Sequence, residues 1–153
     1  MSTVWILSQH RESYENSRLL EAFAAKSIEA KLMHPDNFDI IVNRSKSKSI
    51  RYQGEVTSMP KLVLTRTGAG TNYFSSAVMR HLEKYNVQTI NSSEAINNVR
   101  DKLLAHQILV ANNIPTPKTM LVKFPVHIST VEQEIGFPCV VKDRKSTRLN
   151  SSH

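Results

Sequence analysis

Cysteine is nearly absent from this sequence. Cys139 stands alone, so no internal disulfide framework exists and a reducing, cytoplasmic setting is the default expectation. No apolar run approaches the roughly 20 residues that a bilayer span needs. The opening "MSTVWILSQHRE" has no basic stretch ahead of its short apolar run, and Val4–Leu7 therefore reads as a strand and not as a signal peptide. Glycine is scarce too, with four in 153 residues, and no repeat or low-complexity tract appears. Six histidines, His10, His34, His81, His106, His127 and His153, show no metal-ligand spacing. No acid–base pair or nucleophile triad stands out. Glu132 and Glu134 read as ordinary helix surface, and Cys139, set in an apolar run, reads as a core residue.

Acidic residues are fewer than basic ones, 13 against 20, giving a net charge of +7. The last eleven residues, Asp143 to His153, carry +2 of that and leave +5 for residues 1–142. Such an excess suits an anionic small ligand and does not single out nucleic acid. Arg44, Lys46, Lys48 and Arg51 in "RSKSKSIR" are the densest basic patch. With only Tyr52 as a nearby aromatic it lacks a stacking platform, so nucleic-acid binding ranks last among the functions considered.

What is present is an alternation of apolar runs and amphipathic stretches. "TVWILS" predicts a buried strand. Ser13 is placed to cap a helix bearing Leu19, Leu20, Phe23 and Ala24 on one face. "EAKLMH" predicts a second strand, stopped by Pro35 to Asn37. "FDIIVN" and "SIRYQGEVTS" flank the polar patch, and Gly54 suits a hairpin turn. "KLVLTR" predicts a strand, followed by the loop "TGAGT" and a helix over about Tyr73–Tyr85 with Val78, Leu82 and Tyr85 on one face. "VQTIN" predicts a short strand, and Ser92 or Ser93 starts the next helix. The expected architecture is a small α/β domain with a mainly parallel sheet over residues 1–90.

A connecting segment, residues 91–118, follows. It is read as one long helix, "AINNVRDKLLAHQILVANN", broken by Pro115 and Pro117. Residues 119–142 then predict a strand "TMLVK", a short helix around "STVEQEI", a turn at Gly136 and a buried strand "PCVVK". This last unit reads as the start of a second domain.

Three features can carry ligand chemistry. Arg66, Gly68 and Gly70 lie between a strand and a helix, where open α/β sheets bind ligands and where backbone N–H groups can meet an anion. The loop is neither G-x-G-x-x-G, since residue 73 is tyrosine, nor a P-loop. Its plainer explanation is a turn that needs positive φ. Lys102 opens a helix and Lys142 ends a strand. Each alone reads as a solvated lysine.

The order of these pieces carries more than any one of them. The chain shows "TRTGAGTNYFSSAVMRHLEKYNVQTINSSEAI", then "RDK", "NIPTPKT" and "GFPCVVK". That order resembles the ATP-grasp superfamily, most closely the RimK-like α-L-glutamate ligases, and the likeness covers essentially all of residues 1–142. The resemblance implies a pre-ATP-grasp, Rossmann-like domain followed by the start of an ATP-grasp domain. It implies that Lys142, and in several members Lys102, face ATP, where an ammonium serves the triphosphate as a point charge. The reaction so implied activates a carboxylate as an acyl phosphate, which an amine of an amino acid, peptide or protein acceptor then attacks. Magnesium would bridge the phosphates, no membrane is involved, and a homo-oligomer is compatible.

Past Lys142 such proteins continue into a glycine-rich phosphate loop, an adenine hinge and the magnesium carboxylates. This sequence has "DRKSTRLNSSH" instead, identical to a common sequencing adapter translated in frame. The expectation is therefore an N-terminal fragment, inactive by itself, whose last eleven residues have no stable fold. The competing class is a non-enzymatic α/β module with "RTGAGT" as its ligand loop. It accounts for the first 90 residues equally well and leaves the stretch from "RDK" to "VVK" unexplained.

Overall fold

The computed structural model describes residues 3–42, 44, 50–68 and 72–142. It divides into two compact units, Met1–Asn97 and Asn98–His153. The expectations for Gly70, Lys46, Lys48 and the tail from Asp143 onward lie outside the described residues.

In the first unit, β1 (Val4–Leu7), β2 (Ala30–Met33), β6 (Leu62–Thr65) and β7 (Gln88–Ile90) form a wholly parallel sheet in the order β2-β1-β6-β7. Helix α1 (Tyr14–Ala25) connects β1 to β2, and α2 (Tyr73–Lys84) connects β6 to β7. A smaller antiparallel sheet of β3 (Phe38–Ile40), β4 (Ile50–Tyr52) and β5 (Glu55–Val56) stands between β2 and β6 in the chain. A single 3-10 turn, Pro35–Asn37, leads into it. These elements match the alternation expected from the sequence.

The reasons are local. Ser13 Oγ accepts the Asn16 N–H at 3.2 Å and starts α1. Gln53 and Gly54 have φ of 53° and 82°, the two positive values of the tight turn that suits strand twist in a two-residue hairpin. Tyr52 pairs with Glu55 across that turn.

Side chains alternate across each strand, so Trp5, Leu7 and Val63 face one way. They meet Val78, Met79 and Leu82 from α2 and Phe38 and Ile50 from the small sheet in one buried cluster. Trp5 and Phe38 rings lie 5.4 Å apart, and Tyr52 closes edge-on to Phe38 at 4.9 Å. Burying one such large apolar side chain stabilises by about 1.5–3 kcal/mol. The other sheet face holds Val4 and Ile6, both buried. Helix α1 lies on it with Leu19, Leu20 and Phe23 half-buried. Ala24, expected on that face, is exposed. Asn16 is buried in its place.

The second unit differs from expectation. The single long helix is two pieces, α3 (Ser93–Arg100), which begins in the first unit, and α4 (Lys102–Ala111), while the short helix expected around "STVEQEI" is present as α5 (Ile128–Glu134). Asp101 makes the first break. Its carboxylate accepts the N–H groups of Leu103 and Leu104 at 3.1 Å each, so it caps a new helix instead of continuing the old one. The expected strands "TMLVK" and "PCVVK" do not form among the described residues. A strand needs a hydrogen-bonding neighbour, and between 98 and 142 there is none. Val140 and Val141 are accordingly exposed, at 83% and 88%, and Cys139 is only half-buried.

Candidate functional site

The strand order reverses between β1 and β6. From β1 the chain crosses to β2 on one side, and from β6 it crosses to β7 on the other. The crevice at the carboxyl ends of these two strands is where open α/β sheets place ligands. Two segments leave it, the loop Ser8–Ser13 after β1 and the one that starts at Arg66 after β6.

The Arg66 N–H donates to the Leu7 carbonyl at 2.7 Å, which holds the second loop to the end of β1. Gly68 has φ of 52°, and a Cβ built there would meet nothing within 4 Å. Conformation, and not a close approach, is what calls for glycine at this position. Asn72 Oδ1 accepts the N–H of Ser75 at 2.8 Å and its hydroxyl at 3.1 Å, so one of the free donors at the α2 N-terminus is already used. Arg66 is exposed and shares a depression with Tyr14, Glu15, Arg18, Leu19 and Leu64. The Glu15 carboxyl lies below its ordinary value because its own backbone N–H and the Ser13 hydroxyl donate to it, with Arg66 and His10 adding attraction.

The first loop is held more firmly. Asn16 Nδ2 donates to Ser8 Oγ at 3.0 Å and to the His10 carbonyl at 2.5 Å, and the His10 N–H donates to Ser8 Oγ at 3.2 Å. Ser8 and Asn16 are both buried. Across from this loop, Tyr52 Oη accepts the His34 N–H at 3.2 Å and Asn37 Nδ2 at 3.3 Å. Between the two walls is an open depression lined by Gln9, His10, Arg11, Glu12, His34 and Asn37. Sequence reading missed this group. Its signal was two polar clusters, "SQHRES" and "HPDN", each directly after a strand of one parallel sheet.

Glu83 was also missed. Its carboxylate accepts Thr89 Oγ1 and the Ser93 N–H, both at 2.7 Å, together with the Ser93 hydroxyl. Burial pushes its pKa up, but the Ser93 hydroxyl, the Ser93 N–H and Thr89 outweigh that, and the carboxyl sits below its ordinary value. One side chain thus ties the end of α2 to β7 and to the start of α3, where Ser92 Oγ caps by accepting the Ala95 N–H at 3.1 Å.

In the second unit, Lys102 is the first residue of α4 and Lys142 is the last described residue, and both are exposed. No hydrogen bond or ion pair joins the side chain of either to another described residue. The contacts that order this unit lie elsewhere. Lys118 Nζ meets Glu134 Oε2 at 3.0 Å, and Thr119 Oγ1 lies 3.0 Å from the Pro117 carbonyl and 3.5 Å from His106 Nδ1. Both follow the "NIPTP" break. Among the described residues no three His, Cys, Asp or Glu side chains come together as a metal site. No helix there is long and apolar enough to cross a membrane.

Residues 2–96 match the family model of the RimK PreATP-grasp domain, and residues 99–149 match that of the RimK-like ATP-grasp domain. The chain belongs to the RimK-like ATP-grasp family. The second match runs past Lys142 into the tail that the sequence reading set apart. The chain is 32% identical over 144 residues to a probable alpha-L-glutamate ligase 1 of Shewanella frigidimarina (strain NCIMB 400), covering 94% of this chain and 48% of that protein. It is 35% identical over 144 residues to a probable alpha-L-glutamate ligase of Rhodopirellula baltica (strain DSM 10527 / NCIMB 13988 / SH1), covering 94% of this chain and 35% of that one. It therefore spans about half the length, or less, of these curated relatives. Among solved structures it resembles the ATP-grasp ligase PsnB complexed with minimal precursor, at a TM-score of 0.66 and 17% identity over 89% of this chain and 52% of that one. It also resembles a RimK domain protein ATP-grasp from Sphaerobacter thermophilus DSM 20745, at 0.58 and 20% over 78% and 40%. At these identities the structural likeness speaks for the fold, a parallel-sheet pre-ATP-grasp domain with part of an ATP-grasp domain.

Proposed function

We propose that this chain is the N-terminal part of an ATP-dependent carboxylate–amine ligase that joins glutamate, or another amino acid, to an amine through an acyl phosphate. The observation that carries the reading is the succession of both family matches along one chain, with relatives named as probable glutamate ligases covering 94% of it. In this reading Lys142 and Lys102 attract the triphosphate, and Arg66, Gly68 and Gly70 belong to a ligand loop on the first unit. The exposure of the two lysines supports it, since a lysine already paired within the chain would have less to offer a phosphate. Amino acid and peptide or protein amines are the acceptor classes. Magnesium would neutralise the phosphates, but the described residues offer no ligand set for it.

The residues present bind and orient. They supply charge attraction without the in-line positioning that carries most of phosphoryl and acyl transfer. The 153-residue chain by itself is therefore inactive in this reading. The test uses a protein extended to the length of its relatives, assayed for glutamate-dependent ADP release with magnesium. Release is expected from the extended protein and none from the 153-residue chain. Lys142→Met should weaken ATP binding by about 1.5–3 kcal/mol, the range for a hydrogen bond to a charged group. Equal ATP affinity in two folded proteins would remove Lys142 from the site. An extended protein that releases no ADP with any amino acid would overturn the ligase reading.

A further inference from the structure

We infer that the depression between the Ser8–Ser13 loop and the His34–Asn37 turn is a binding site for a free α-amino acid. Arg11 and His34 would take its carboxylate, and Glu12 and Asn37 its ammonium group. The inference rests on the ligase reading only for the choice of amino acids over other zwitterions.

The argument begins with which polar groups are already committed. His34 Nδ1 accepts the Asp36 N–H at 3.3 Å, so its proton sits on Nε2, which remains a donor. Asn37 Nδ2 donates to Tyr52 Oη, which leaves Oδ1 as an acceptor. Arg11 and Glu12 make no side-chain hydrogen bond or ion pair with any described residue, although both line the same depression. The site therefore presents two uncommitted donors, one of them a permanent cation, and two uncommitted acceptors, one of them an anion. A zwitterion carries the complementary set, and a simple anion would leave Glu12 opposing it.

The second strand of the argument is rigidity. Both walls are fixed by side chains that take no part in lining the depression. Asn16 and Ser8 are each 2% exposed and lock the backbone of residues 8–10. Tyr52 holds His34 and Asn37 together and is itself packed on Phe38 in the core. A buried asparagine on the inner face of a helix is a poor choice for packing alone. Here it shapes the loop that carries Arg11 and Glu12. Preorganised walls reduce the ordering cost of binding a small ligand.

The test is a titration of the 153-residue chain, without nucleotide, followed by amide and side-chain NMR shifts. Four probes are used: L-glutamate, L-glutamine, glutarate and inorganic phosphate. L-Glutamate and L-glutamine should saturate shifts confined to residues 8–13 and 34–37, with glutarate and phosphate at least tenfold weaker. Arg11→Ala should weaken L-glutamate at least tenfold while the Trp5 fluorescence and the thermal melt stay unchanged, because Arg11 is exposed. Glu12→Gln should narrow the gap between glutamate and glutarate. Phosphate binding as tightly as glutamate, or a folded chain with no saturable shift at these residues, would overturn the proposal. Because no ATP is present, glutamate binding by the chain together with an extended protein that releases no ADP would retain the site and remove the ligase reading. The reverse pair of results would do the opposite.

Discussion

The two units of this chain carry apolar runs of similar strength and treat them differently. "TVWILS" and "KLVLT" in the first unit become strands whose inward residues are almost wholly buried. "TMLVK" and "PCVVK" in the second become no strand, and no described residue from 98 to 142 is buried. Each run contains valine together with a threonine or a proline. What separates them is a neighbour. Val4 to Leu7 is flanked by two strands within the same 97 residues, and each backbone N–H and C=O finds a partner there. The second pair finds none, and its side chains remain on the surface, with Leu121 at 68% and Phe124 at 88% exposure. An apolar run states a demand for burial, and the rest of the fold decides whether it is met.

The sharpest way to break this comparison is a matched pair of leucines. Leu82 is fully buried in the cluster under α2, and Leu121 is exposed. Leu82→Ala should cost about 2–5 kcal/mol, the range for a truncated core leucine. A small domain loses most of its stability to a change of that size. Leu121→Ala should stay within about 0.5 kcal/mol, as for an open surface position. Urea unfolding of both variants, followed by Trp5 fluorescence, gives the two numbers. Similar losses would mean that the second unit has a core that its exposure does not reveal.

A middle-sized effect belongs to Glu83, and it illustrates what the sequence conceals. Periodicity places Val78 and Leu82 inward correctly, because apolar residues one turn apart share a face. The same rule treats Glu83 and Asn16 as outward polar residues. Their partners are set by tertiary approach: Thr89 and Ser93 reach Glu83 only once α2, β7 and α3 are packed. The element list of the first unit was legible because each element's cause is local. The polar ties, the depression lined by His10 and His34, and the missing strands were not, because each depends on what another segment brings. The motif order that points to the family was legible for a different reason: it rests on short patterns in sequence and on no contact.

Glu83→Gln keeps the shape and removes the charge from three hydrogen bonds. Partial exposure lowers the loss from the usual range for charged hydrogen bonds to about 1–2 kcal/mol near neutral pH. The pH dependence has a definite sign. The folded-state pKa lies below the ordinary value of 4.5, so the stabilisation is fully present above that value and disappears as pH falls through the lower, folded value. Wild type should therefore lose its advantage over Glu83→Gln on acidification below about pH 4.5, and the two should converge. Urea midpoints at several pH values check this. A constant difference down to pH 3 would mean that the carboxylate charge is not what holds α3.

Asp101 offers a smaller effect on the other side of the comparison. In α4 no residue is buried, so the helix relies more on its cap than α2 does, where Val78, Met79 and Leu82 are buried. Asp101→Ala should cost about 1 kcal/mol locally, seen as faster amide exchange over residues 102–111 with the first unit unchanged. The matching change Asn72→Ala should be spread over the whole first unit instead, since α2 unfolds only with the core. Faster exchange confined to α2 in Asn72→Ala, or no change in α4 in Asp101→Ala, would erase the distinction between the units.

The smallest effect concerns Lys142, and it is the one that tests what the second unit is for. The residue is exposed, follows two exposed valines and belongs to no strand. Lys142→Met in the 153-residue chain should change stability by less than about 0.5 kcal/mol, since it removes no packing and no pair. In an extended protein the same residue should end a paired strand, with Val140 on its face and Val141 on the other. There the stem would pack and only the charge would be lost. The stability change should still be below about 1 kcal/mol, while ATP affinity falls as proposed above. Val141→Ala separates the two situations. Its cost should be near zero in the short chain and about 1–3 kcal/mol where the strand is covered. Thermal melts of the four proteins decide. If Val141→Ala costs as little in the extended protein as in the short one, the run "PCVVK" is surface in both. Lys142 would then lack the strand that is meant to aim it.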